Sequence, residues 1–71
     1  MTSDGFDITV NGAVTRVEAG TTVAVLVGRW CESDRGVAVA IERDIVPRSL
    51  WEVTELSDGA RVEIVGAAAG G

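Results

Sequence analysis

The chain has 71 residues, one cysteine, no histidine and a formal charge of −5, and all six of its cations are arginine. A chain of this length makes one small domain. The composition excludes an internal disulfide, a Cys/His zinc site and an imidazole base, and an acidic surface is a poor partner for nucleic acid or an anionic membrane because it repels phosphate.

Phe6-Asp7-Ile8-Thr9-Val10 alternates apolar and polar side chains, the period of a strand with one buried face. Asn11 and Gly12 both tolerate positive φ and favour a tight hairpin turn into a return strand over 14–18. Thr21 or Thr22 then caps a helix predicted over 22–31. Val23, Leu26, Val27 and Trp30 fall at i, i+3, i+4 and i+7, which places all four on one apolar face, and Trp30 is expected in the core. Three valines and Gly28 give this helix a low intrinsic propensity, so packing must hold it.

Residues 32–36 read as a polar loop. Val37-Ala38-Val39-Ala40-Ile41 is a short apolar run suited to a well-covered strand, with Val37, Val39 and Ile41 facing the helix. After a turn at 42–44, Ile45 and Val46 begin another short strand. Pro47 cannot donate a ladder hydrogen bond, so that strand is an edge or ends there. A brief helical turn follows at 48–52. Leu56 is a core anchor, Asp58-Gly59 is a second tight turn, and Arg61-Val62-Glu63-Ile64-Val65 alternates again with Val62 and Ile64 inward. One helix covering one face of a mixed sheet of four to five strands is a two-layer α+β arrangement in the β-grasp order. The predicted organisation is a globular domain over 1–65 and a flexible tail over 66–71.

No basic segment followed by an apolar run marks a signal peptide at the start, and no stretch reaches the roughly 20 apolar residues that span a bilayer. A cytoplasmic location fits, and a basic patch on a protein partner is the natural complement of the charge. Nothing in the chain assembles a catalytic set. It lacks the histidine that usually activates Ser or Cys and the lysine of a phosphate loop. Cys31 lies at the helix end without a cluster of cations, and reads as structural. Trp51 either closes the open end of the core or sits at a partner interface, where Trp is enriched.

The remaining candidate is the end of the sequence, Gly66-Ala67-Ala68-Ala69-Gly70-Gly71. Such an end either frays or serves to carry its α-carboxylate into a narrow site on another protein. Six extended residues reach about 20 Å, and glycine lets a backbone approach closely. A carboxylate becomes reactive only once converted to a mixed anhydride, for instance with AMP.

Taken together, Ile8-Thr9-Val10-Asn11-Gly12, Gly20-Thr21-Thr22-Val23, Val37-Ala38-Val39-Ala40, Ile45-Val46-Pro47-Arg48-Ser49 with Trp51, Leu56-Ser57-Asp58-Gly59, Arg61-Val62-Glu63-Ile64-Val65 and terminal Gly70-Gly71 resemble the ThiS family, the sulfur carriers of thiamine biosynthesis within the ubiquitin-like β-grasp group. The turn at Glu42-Arg43-Asp44 lacks the Asn-Gly common there, and Ala60 replaces a usual acid. The resemblance implies a carrier rather than an enzyme. An adenylating enzyme of the ubiquitin-activating type (ThiF) would charge the Gly71 carboxylate with ATP, and Gly70 with Gly71 would thread its site. A sulfur donor such as a cysteine desulfurase would convert the adenylate to a thiocarboxylate, and thiazole synthase (ThiG) would take the sulfur. The chain itself would bind no cofactor and no metal. The sheet face away from the helix would dock the partner through Ala38, Ala40 and Trp51. The alternatives are a MoaD-like carrier serving molybdopterin, a carrier for cysteine biosynthesis, a protein tag, and a ubiquitin-like module that binds without covalent change.

Overall fold

The structure is a computed structural model and describes residues 5–31 and 35–66. Its elements run β1 (Gly5–Val10), β2 (Ala13–Glu18), α1 (Val23–Trp30), β3 (Val37–Ile41), β4 (Asp44–Ile45), a 3-10 turn (Arg48–Leu50) and β5 (Arg61–Gly66). The five strands form one sheet in the order β2-β1-β5-β3-β4. Only β1 and β5 run parallel; the other three pairings are antiparallel. This is the β-grasp arrangement that the element order predicts.

Local chemistry accounts for each element. Asn11 (φ 52°) and Gly12 (φ 86°) both occupy the left-handed region, which twists a two-residue turn to match the strands it joins. Val10 therefore pairs with Ala13, and the hairpin register runs back to Gly5 opposite Glu18. Alternation sends Ile8 and Val10 into the core, with Val17 beside them from β2.

The helix is capped by Thr22, whose Oγ1 accepts from the Val25 N–H at 3.3 Å. Its other early N–H groups are met by the segment that follows the 3-10 turn. Val23 N–H donates to the Thr54 carbonyl at 2.9 Å and Ala24 N–H to the Trp51 carbonyl at 3.1 Å. Leu56 N–H returns the link to Thr21 at 2.9 Å. This helix start is therefore satisfied by the protein's own backbone. The same bonds pin residues 51–56 against the helix and bring Leu56 into the core.

Val23, Leu26 and Val27 are almost completely buried against the sheet, as the stripe predicts. Trp30 is not: it is 45% exposed, a correction to its assignment as core. It is the last helical residue, and the backbone turns extended at Cys31. A stripe of period 3.6 identifies the inward face, yet it carries no information about where the sheet beneath it stops. Trp51 fills the opposite end of the layer instead and is only 4% exposed.

Edge protection follows the expectation from Pro47. β4 is a two-residue edge strand, and its turn places Glu42 (φ 52°) and Arg43 (φ 73°) in the left-handed region without glycine. Glu42 offsets that strain by clamping the start of β5: its N–H donates to the Arg61 carbonyl at 2.9 Å, and its Oε2 accepts from the Arg61 N–H at 2.8 Å. Ala60, where the resemblance leads one to expect an acid, is 5% exposed and belongs to the core cluster.

Candidate functional site

β5 carries the chain toward its carboxyl end. It lies in the middle of the sheet, and its last residue, Gly66, pairs with Val37. The predicted modification site Gly71 and its neighbour Gly70 lie outside the described residues, as does the remainder of 67–71. The surroundings of Gly66 therefore define where that segment begins.

On the sheet face away from α1, pairing across strands sets which side chains stand together. Directly opposed residues share a face. Ala38 opposes Val65, and Ala40 lies between Glu63 on β5 and Ile45 on β4. Val65 is 61% exposed and Ile45 69% exposed, and Ala38 is exposed between the two strands that carry them. An apolar patch thus lies beside the end of β5, with the Glu63 carboxylate among its neighbours. On the β1 and β2 flank of this face Asp7 and Arg16 form an exposed ion pair at 3.4 Å, with Val14 exposed opposite Thr9. A pair so open to water adds little to stability, about 0–1 kcal/mol.

The three residues expected to dock a partner do not form one surface. Ala38 is exposed on the outer face. Ala40 points the same way but is 8% exposed, since it lies between longer neighbours on both flanking strands. Trp51 is on the core side. Its indole N–H donates to the Val46 carbonyl at 3.0 Å, and the Arg48 guanidinium sits 5.7 Å from its ring centroid. Of the two roles open to Trp51, closing the core is the one it fills.

Two residues beyond those expected from the sequence, Val65 and Ile45, complete the patch. The signal for Val65 was present: if Val62 and Ile64 face inward, Val65 faces out. Ile45 needed knowledge of the β3–β4 register. In the sequence Asn11 is a turn residue; in the fold its side chain also reaches β5. Its Oδ1 accepts from the Ile64 N–H at 2.9 Å, and its Nδ2 donates to the Ile64 carbonyl at 3.2 Å.

A shallow groove of about 310 Å³ lies on the helix side, lined by Ala24, Arg48, Ser49, Trp51 and Glu52. Its lining offers a hydroxyl and a carboxylate but no thiol or imidazole. Among the described residues no group of three or more His, Cys, Asp or Glu side chains could hold a metal ion, and Cys31 is a free thiol. No helix among them is long and apolar enough to cross a membrane.

Residues 7–71 match the sequence profile of the ThiS family. The fold is similar to the crystal structure of a thiamine biosynthesis protein (ThiS) from Geobacter metallireducens, with a TM-score of 0.75 and 26% sequence identity. The similarity covers 93% of this chain and 100% of that one. No curated protein matches the chain.

Proposed function

Because the chain belongs to the ThiS family, we propose that it is a sulfur carrier of thiamine biosynthesis whose working group is the Gly71 carboxylate. The observation that carries this reading is the reach of the family match: it extends through residue 71, past the point where β5 ends at Gly66. The likeness to a solved thiamine biosynthesis protein supports it.

The chemistry then follows from the carboxylate. An adenylating enzyme joins it to AMP from ATP and releases pyrophosphate, which creates the electrophile. The terminal sulfur of a persulfide on the sulfur donor attacks that carbonyl and expels AMP. Cleavage of the resulting acyl disulfide by a thiol leaves the thiocarboxylate, which thiazole synthase consumes. ATP is bound by the activating partner, and this chain acts as a co-substrate. The body that serves for recognition runs through Gly66, which β5 holds opposite Val37, one residue beyond the expected boundary at 65, and 67–71 is the segment that enters the partner.

The apolar patch of Ala38, Val65 and Ile45 is the docking surface in this reading. Apolar surface beside a reacting terminus lets an enzyme hold the body while the terminus enters its site. Ala40 lies within that face but is covered by its neighbours, and Trp51 lies on the core side, so neither is a contact residue in this reading. Ala38→Glu is expected to leave thermal unfolding nearly unchanged, because the position is exposed. It should raise the KM for activation at least about tenfold, the effect of an uncompensated charge in an apolar contact. An Ala38→Glu chain with native KM would remove the patch from the docking surface.

The direct test of the function is intact-protein mass. After incubation with a ThiF-type enzyme, ATP and a persulfide donor, the chain gains the difference between one sulfur and one oxygen. A ubiquitin-like module that works without covalent change gains nothing. Capture of the product by thiazole synthase, and not by the large subunit of molybdopterin synthase, distinguishes thiamine from molybdopterin supply.

A further inference from the structure

The parallel pairing of β1 with β5 is short. It covers Thr9 with Arg61 and Val10 with Val62, and then β1 turns away at Asn11 and Gly12. β5 continues to Gly66 and keeps β3 on its other side. On the β1 side, the groups that need partners alternate along β5. The Ala60 carbonyl accepts from Thr9 N–H and the Val62 carbonyl from Asn11 N–H, both at 2.9 Å. Ile64 is next in that series, and among the described residues no strand lies there to meet it. The Asn11 side chain meets it on both groups, donor to acceptor and acceptor to donor.

We infer that Asn11 is a positioning residue for the carboxyl-terminal segment: its amide replaces the peptide group that β1 no longer supplies and holds β5 on course to Gly66. Two independent demands meet at this position. The hairpin turn requires φ of 52° there, which asparagine and glycine adopt more readily than most residues. The ladder requires a side chain carrying both a donor and an acceptor on one short planar group, as a peptide does. Glycine satisfies the first demand alone. Aspartate supplies only acceptors and would set a negative oxygen against the Ile64 carbonyl. Asparagine satisfies both. A loosened β5 end would spread the directions in which residues 67–71 leave the body. An active site that accepts a narrow terminus is sensitive to that spread. Only this last step rests on the carrier reading.

Asn11→Gly tests it, because glycine preserves the turn and removes the amide. The Ile64 amide should exchange with solvent about tenfold faster, as expected for the loss of its hydrogen bond, while the Val62 amide keeps its native rate. The kcat/KM for activation by a ThiF-type enzyme should fall about tenfold at a temperature where the domain is fully folded. Val17→Ala is the control. It lowers the melting temperature by at least as much through the core, keeps Asn11, and should be activated at the native rate. Unchanged exchange at Ile64 would overturn the inference, as would native activation of Asn11→Gly or equal slowing of Val17→Ala. If the native chain itself is never activated, the carrier reading fails, and the exchange rates alone decide whether Asn11 holds β5.

Discussion

Deleting Gly71 is expected to abolish activation and to leave the domain folded. Among the described residues the buried core runs from Ile8 to Val62, so it is expected to survive the deletion. Unfolding free energy should move by less than about 0.5 kcal/mol, the usual range for a surface change. The reacting carboxylate, by contrast, retreats by one residue, about 3.5 Å along an extended chain. Displacement by even ~1 Å from a productive geometry costs about a hundredfold in rate. The shortened chain should therefore gain no sulfur in the mass assay over times that convert the native chain fully. Circular dichroism melting of the two chains should coincide. A shortened chain that acquires sulfur at the native rate would show that Gly71 is not the site.

Trp51→Ala should bring the domain to the edge of unfolding. The ring is 4% exposed and closes the core beneath residues 51–56. Truncating a buried aromatic costs about 3–5 kcal/mol. A 71-residue domain has about 4–10 kcal/mol in total at typical per-residue stability. The substitution also strips the Val46 carbonyl of its indole partner. Trp51→Phe keeps most of the apolar volume and loses that hydrogen bond, for a cost of about 1–3 kcal/mol. Denaturant unfolding followed by far-UV circular dichroism measures both. Trp51→Phe should still be activated at the native rate, because the ring does not reach the outer face. A Trp51→Ala domain within about 1 kcal/mol of native would mean that the ring is not a core element. Slow activation of a stable Trp51→Phe would restore Trp51 to the interface.

The two tryptophans mark where sequence reading succeeds and where it stops. Both are large apolar side chains near a helix end, and nothing in their local sequence separates a half-exposed ring from a buried one. Trp30 continues a well-formed apolar stripe and is half exposed, whereas Trp51 follows a 3-10 turn in an irregular stretch and is buried. The difference lies in tertiary position: Trp51 packs within the core cluster and Trp30 lies outside it. The outer face shows the same division. The alternation of β5 makes Val65 an outward residue from the sequence alone. That Ile45 and Ala38 stand near it follows only once β3 is placed between β5 and β4. Gly70 and Gly71 were legible as a pattern, and they lie outside the residues the structure describes.

By itself the sequence determined what acts over a few residues: the strand alternation, the Asn11-Gly12 turn, a threonine cap at 21 or 22, the stop at Pro47 and the glycine-rich end. Each depends on backbone sterics or on a side chain bonding its own neighbours, so a short window contains the whole cause. Tertiary structure decided which strands became neighbours, which tryptophan the core accepted, and that the Asn11 amide would meet Ile64 across 53 residues of chain. Those outcomes depend on where separate segments come to rest against each other, because a hydrogen bond or a buried ring acts only at contact distance.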